Sequence, residues 1–449
     1  MKYAATIAIV LLSACGAAAQ TADSALMAEI NKIKAIDNHS HPPKVVAAGE
    51  KDTEFDALPC DPLEPTEPNT ITRPENPVYL EAWKALWGYQ YADKTPAHIR
   101  ELLDTKARIR QEQGDSYPSW VLDKLGIETE LANRVALGRG LTPPRFRWVA
   151  FDDALMAPLN GGELAAENPD KKFFYSAETQ LLHRYMKELG VASLPATLAE
   201  YEKQIVAPEL EKQKQAGAAA IKFEAAYLRP LDFEPEATRL PAAEDEREAA
   251  AVYAANVHGG QPSAAKYLRL QNYLFRYIAR EAGRLGMPVH IHTGGGCGGY
   301  FDLTGSNPLL LETVFNDPQL RKTTFVMLHG GMGAYSRQLS PLLMKPNVYV
   351  DMSGNTWMVS TRRLSEVLRD WLEFYPEKVL YGTDLYPGAG EYDWEEIGWQ
   401  MNQSARTALG IALTGMMNDG EISRERAIEI ARMVLRGNAA KLYHLPDAP

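Results

Sequence analysis

Short apolar runs separated by longer amphipathic stretches set the hydrophobic pattern of this chain. The runs at Ala35–His41, Arg134–Leu137, Arg147–Phe151, Ala218–Phe223, Met287–His292, Thr323–His329, Asn347–Asp351 and Lys378–Asp384 read as strands. Helical spacing fills most of the gaps, at Leu181–Lys214 (punctuated by Gly190 and Pro195), Ala242–Asn256, Ala264–Leu285 and Ser365–Tyr375. Two more helices, Trp394–Thr414 and Ser423–Leu435, end the chain, and a short one over Asp23–Lys34 leads into the first strand. Eight strands, with helical crossovers from the third onward, predict an α/β fold of the closed (β/α)8 type, a TIM barrel.

The first connection breaks the rhythm. Residues 43–130 predict a long, loop-rich insertion after strand one that covers the active face, within a single catalytic unit spanning 20–449. Its start is punctuated by prolines from Pro59 to Pro77, and helical spacing from Tyr79 onward carries Trp83, Trp87, Tyr89 and Tyr91. Aromatics at that spacing read as packing that pins the segment to the body, with a substrate-cleft lining as the alternative.

The N-terminus adds a destination. Residues 1–19 have the short apolar run and small-residue end of an export signal. Leu12-Ser13-Ala14-Cys15 resembles a bacterial lipobox, which would attach a lipidated Cys15 to a membrane. Ala17-Ala18-Ala19 fits ordinary cleavage before Gln20. Either way the chain is expected in the periplasm or on a bacterial membrane as a lipoprotein. Export permits a disulfide between the remaining cysteines, Cys60 and Cys297, although two free thiols are the default reading. The formal charge of −11 and the absence of a basic run exclude a nucleic-acid footprint. Oligomeric state is not legible.

The candidate chemistry lies at the strand ends. Five of the nine histidines, His39, His41, His290, His292 and His329, sit there, with Lys222 near the end of strand four and Asp384 ending strand eight. In a barrel these ends converge on one mouth. His39 and His41, two residues apart, present paired imidazoles suited to a divalent transition metal. With Lys222 facing in, Glu224 does so too and Phe223 takes the outer face. His290 faces in one layer below His292, where it orients a ligand or fills the core. The other four histidines read as surface or packing residues.

The ordered segments Asp37-Asn38-His39-Ser40-His41, Ile221-Lys222, His290-Ile291-His292-Thr293-Gly294, Leu328-His329-Gly330-Gly331 and Gly382-Thr383-Asp384 resemble the amidohydrolase superfamily. The resemblance is to its amidohydrolase-related branch (amidohydrolase family 2), which also contains metal-dependent decarboxylases. It implies a metal held by His39, His41 and Asp384. In two-metal members a carboxylated lysine bridges both ions and histidines on strands five and six hold the second, positions matched by Lys222, His292 and His329. In one-metal members the strand-five histidine joins the first set and His329 contacts substrate. Two zinc ions are the slightly favoured expectation.

A divalent metal lowers the pKa of bound water to about 7 and polarises a carbonyl. Asp384 is then the proton carrier, with His329 beside it. The expected reaction on a small-molecule substrate is hydrolysis of an amide-type C–N bond, or of a lactone or ester C–O bond. Arg229 is a candidate clamp for a substrate carboxylate, with an internal salt bridge as the competing reading. Tyr227 and His290 complete the substrate-facing set, and the glycine-rich run Gly294–Gly299 lacks the lysine of a phosphate loop. Decarboxylation with the same ions is the first alternative, and a non-catalytic surface binding protein the second.

Overall fold

The structure is a computed structural model that describes residues 21–445 except 48, 68 and 234–239. The export segment, with its cleavage sites at Cys15 and Ala19, lies outside the described residues. Among those described, no helix is long and apolar enough to cross a membrane.

Eight parallel strands form one sheet in sequence order: β1 (Ala35–Ser40), β2 (Ile127–Asn133), β3 (Phe146–Phe151), β4 (Ala220–Phe223), β5 (Val289–His292), β6 (Phe325–Leu328), β7 (Val348–Asp351) and β8 (Val379–Leu380). Further backbone bonds bring the ends together, among them His41 N–H to the Leu385 carbonyl at 2.7 Å. The Asn38 N–H donates to the Tyr381 carbonyl, and the Asp384 N–H donates to the His39 carbonyl. The expected barrel is therefore present. Alternation along the strands sorts the side chains. Ile221, Phe223, Val289, Ile291 and Phe325 face the outer core under the helices, while Ala220, Val326, Leu328 and Leu380 fill the barrel with Ile36, Leu131 and Val149. Ala439, Ala440 and Tyr443 from the C-terminal helical turn plug the floor.

Two elements differ from the sequence expectation. The second strand is Ile127–Asn133 rather than Arg134–Leu137, because Gly126, at φ 70°, ends the preceding helix and lets extended chain begin at once. Glu128, Thr129 and Glu130 hide that strand from an apolar count. The Leu181–Lys214 helix is two pieces: Pro169–Glu188 ends before Gly190 at φ 73°, and helical chain resumes at Leu198.

The connection between β1 and β2 has two characters. Its second half is helical, with helices Val78–Trp87, Pro96–Gln113 and Tyr117–Leu125. The aromatics there are packing, as the spacing suggested. Trp83 is fully buried and donates its indole N–H to Glu391 O at 3.0 Å, and Trp87 donates to Glu396 Oε1 at 2.6 Å. Lys106, also buried, pairs with Glu396 at 2.9 Å. Among its described residues the first half has no regular helix or strand, and it crosses the C-terminal ends of the barrel strands. Glu54 O accepts from Val135 N–H, Phe55 reaches His41, and Asn69 Nδ2 donates to Trp357 O. Arg134 holds its entry by donating to Pro42 O and, at 2.7 Å, to Asp52 Oδ2.

Cys60 and Cys297 form a disulfide that closes 237 residues of sequence separation. The default of two free thiols is thus corrected. The fold seats the covering segment on the loop after β5, where the two cysteines meet.

Asp152, fully buried after β3, has its pKa pushed up to about 8, chiefly by burial, while Gln213 donates to its Oδ1 at 2.8 Å. Its folded pKa lies above the unfolded value of about 3.9, so its contribution is intact below pH ~4 and is lost as pH climbs through about 8. Asp152→Asn should therefore gain stability relative to wild type as pH rises across that window, by at least ~1 kcal/mol. Urea unfolding of both proteins at the two ends of the window measures the difference.

Candidate metal centre at the barrel mouth

Asp37 builds the first part of the site without facing substrate. Its Oδ1 accepts from the Thr383 N–H at 3.0 Å and from the His39 N–H at 3.2 Å, and its Oδ2 accepts from the Thr383 hydroxyl at 2.5 Å. One carboxyl thus fixes the backbone of His39 and the residue before Asp384. Asp384 itself adopts φ 64°, a conformation costly for a non-glycine residue and found mainly where function fixes the backbone. His329 does the same at φ 63°.

Three donors converge. His39 Nε2 lies 3.2 Å from Asp384 Oδ1, and His41 Nε2 lies 3.9 Å from the same oxygen. One ligand atom from each of the three falls within 4.8 Å of the others. His41 faces the Phe55 carbonyl with Nδ1 at 3.2 Å, which places its proton there and leaves Nε2 a bare lone pair. Burial holds both imidazoles below their ordinary pKa, His41 at about 4, so they are neutral donors at neutral pH. Burial pushes the Asp384 carboxyl well above its usual range. A buried carboxylate between neutral imidazoles requires a cation, and this donor set fits a divalent one.

His329 stands beside them, its ring centroid 4.9 Å from that of His39 and its Nδ1 3.7 Å from Asp384 Oδ2. Ser353 Oγ donates to Asp351 Oδ1 at 2.6 Å and has no second proton. It therefore accepts from His329 Nδ1 at 2.9 Å, leaving Nε2 unprotonated. Asp351 also accepts the His329 N–H at 2.8 Å and the Asn38 side chain at 2.7 Å. Gly354 has to be glycine here, since a Cβ would lie 2.9 Å from His329 Nδ1.

The remaining candidates divide. Lys222 is buried, with Nζ 3.3 Å from His39 Nε2 and 3.2 Å from Glu224 Oε1. His292 contacts His329, ring to ring, at 4.6 Å, but donates its Nε2 proton to Gly295 O at 2.8 Å. Tyr227 is half-buried at the mouth, 4.8 Å from the His292 ring and 5.1 Å from Phe301. His290 lies below, with Nε2 2.7 Å from the Tyr443 hydroxyl, which itself donates to Asn38 Oδ1. It belongs to the floor, so its place among the substrate-facing residues is corrected. Arg229 is corrected too. It is buried, its guanidinium donates to the carbonyls of Pro230, Leu268 and Asp232, and it lies 4.4 Å over the Phe233 ring. Three of its five N–H groups are spent on carbonyls rather than an acid, and its burial keeps it from an incoming substrate carboxylate.

A second compact group went unread in the sequence: His41, Asp56 and Glu224. Asp56 Oδ2 is 3.5 Å from His41 Nδ1. Nothing in the proline-rich run around Asp56 marks it. Asp351 was findable, because it ends β7 as the ligating histidines end their strands.

The amidohydrolase family model matches residues 190–445, a stretch holding Lys222, His292, His329 and Asp384. The chain belongs to the amidohydrolase family. A curated relative, protein fluG of Emericella nidulans, is 31% identical over 164 residues, 36% of this chain. That match spans 18% of the relative's length. Among solved structures, a protein described as a metal-dependent hydrolase from Lactobacillus casei superposes with TM-score 0.55 at 15% identity, covering 94% of this chain and 98% of that one. Uronate isomerase of Thermotoga maritima gives TM-score 0.54 at 13% identity over 94% and 98%, and glucuronate isomerase of Caulobacter crescentus 0.54 at 14% over 95% and 94%. At these identities the structures are alike in fold. The family match and these superpositions agree on the barrel.

Replacing Asp351 with Asn should weaken both metal retention and activity by 10- to 100-fold, because it disturbs the groups that orient His329. Metal content after dialysis, read beside turnover, checks this, and unchanged values would show that His329 needs no such support.

Proposed function

We propose that the protein is an exported, zinc-dependent hydrolase that cleaves an amide-type C–N bond, or a lactone or ester C–O bond, of a small substrate. The convergence of His39, His41 and Asp384 carries this reading. Residues 20–449 form the catalytic unit, and the connection between β1 and β2 carries, in its first half, the segment over its mouth. A divalent ion held by the three supplies a Lewis acid that polarises the carbonyl and makes water acidic enough to attack at neutral pH. Asp384, its carboxyl 13% exposed at the mouth, takes the proton of the attacking water and returns it to the leaving group. His329, its Nδ1 3.7 Å from Asp384 Oδ2, stands beside that carboxylate to contact the substrate. Tyr227 walls the approach.

The single-ion arrangement is the better supported of the two. Lys222, the residue that would bridge two ions, is engaged by Glu224 and His39. One-ion sites also suit decarboxylation. Against that alternative, a substrate carboxylate would have to enter beside Asp56 and Glu224, whose charges oppose it.

Metal analysis of the purified protein, with a hydrolysis screen of amides, dipeptides and lactones, tests the proposal. Wild type should carry about one ion per chain, and His39→Ala and Asp384→Asn should lose it together with at least ~1,000-fold of turnover. Lys222→Ala should keep the ion. Activity in metal-free protein would refute the mechanism, and release of CO2 from aromatic acids without hydrolysis would favour the lyase. Mass spectrometry of the N-terminal peptide, lipidated at Cys15 or starting at Gln20, tests export.

A further inference from the structure

The withdrawal of Arg229 reverses the charge expected of the substrate. The groups left at the mouth beside the metal ligands are carboxylates. Asp56 keeps 15% of its side chain exposed and Asp384 13%, one at His41 Nδ1 and the other facing its Nε2, near enough for Asp56 to act on the Asp384 carboxyl. Glu224 lies deeper, its side chain 95% buried, with Oε1 on Lys222 and Oε2 without any hydrogen-bond partner. Behind it Glu178 is 99% buried with both oxygens unpartnered, and its electrostatic neighbours include Glu224 and Asp56. Lys222 answers one carboxylate oxygen in this group. The Glu224 oxygen beside it faces no donor, and burial pushes this carboxyl well above its usual pKa, so a bound cation is what would hold it ionised.

Tyr227 stands over the same group. Glu224, Asp56 and Asp384 are the charges that act on its hydroxyl, and its ring meets those of His292, Phe301 and Phe174. Carboxylates combined with aromatic faces make a site for an organic cation, since the ring quadrupole and the charges attract the same ligand. A substrate ammonium also fits the reach. Asp56 meets His41 at Nδ1 while His41 Nε2 faces Asp384, so the acidic group is one imidazole away from the reaction centre.

We infer that Asp56 and Glu224 form a cation subsite, and that the substrate is an amide carrying an ammonium group a few bonds from the scissile carbonyl. This rests on the hydrolase reading and narrows it to a substrate class.

The test is a panel of glycyl, β-alanyl and γ-aminobutyryl p-nitroanilides against the neutral butyryl and acidic succinyl p-nitroanilides, with metal-loaded wild type. At least one cationic member should exceed the neutral one by tenfold or more in kcat/KM, and the succinyl compound should be poorest. Asp56→Asn and, separately, Glu224→Gln should shrink the cationic-to-neutral ratio mainly through KM. Equal turnover of cationic and neutral members, or preference for the succinyl compound, overturns the subsite while leaving the hydrolase standing. A second equivalent of metal in wild type, lost in Asp56→Asn, also overturns it by making the group a metal site. If no anilide is cleaved, the hydrolase reading is the one in trouble. Calorimetry of β-alaninamide against propionamide then reads the subsite alone: tighter binding of the amine sustains it, and equal binding ends it.

Discussion

The seam between the first and last strands is the constraint on which this site depends. A barrel closes only if β8 finds β1, and here the closing contacts include residues of the candidate metal site. Asp37 accepts from Thr383 and from the His39 N–H, and the His39 carbonyl accepts from Asp384. His39 and Asp384, 345 positions apart in the chain, thus acquire their 3.2 Å separation through backbone closure rather than through their own attraction. That order matters energetically. A buried carboxylate facing imidazoles is unfavourable by itself, and so is the left-handed backbone of Asp384. Closure of the barrel supplies the free energy that holds both in place.

Around that seam the structure uses polar bonds in graded layers. The floor chain runs His290 to Tyr443 to Asn38 to Asp351, linking β5, the C-terminal turn, β1 and β7. The next layer up is Asp351 and Ser353 orienting His329, and above it lie the donors themselves. The covering segment completes the top through Phe55 and Asp56 at His41, and the Cys60–Cys297 disulfide ties the same segment to the loop that follows His292. Two ends of the ligand set are therefore braced by one cross-link. A disulfide across so long a stretch of chain restricts the unfolded state strongly, and here it also holds a loop-rich segment that has little core of its own.

Sequence reading recovered the barrel because strand ends are marked twice, by an apolar run and by the chemistry placed at its exit. It recovered His39, His41, Lys222, His292, His329 and Asp384 as residents of the mouth for the same reason. Two kinds of information escaped it. β2 was displaced because its polar Glu128-Thr129-Glu130 breaks the apolar run, and their acceptance inside the fold depends on neighbours from other strands. Arg229 was misread because its partners are backbone carbonyls of Pro230, Leu268 and Asp232, which no letter in the sequence announces. Asp56 had no local signal. Its meaning comes from a loop laid across the barrel, which periodicity does not encode.

Lys222 stands between the candidate metal site and the acidic pair, near both His39 and Glu224. His39 Nε2 has one lone pair, and the structure shows the Lys222 ammonium 3.3 Å from it. That lone pair serves either the lysine or a metal ion, and two cations at such range repel. Metal binding therefore favours an ammonium drawn toward Glu224 Oε1, already 3.2 Å away, over one shared with His39. Glu224 then acts as the counter-charge that lets a lysine persist next to a metal without being consumed as a ligand. A carboxylated lysine would reverse the sign, placing a third anion against Glu224 and Asp56 and requiring a second metal to offset it. Glu224 Oε1 stands at ion-pair distance from Nζ, and Asp56, at His41 Nδ1, is the acid left to act on what enters.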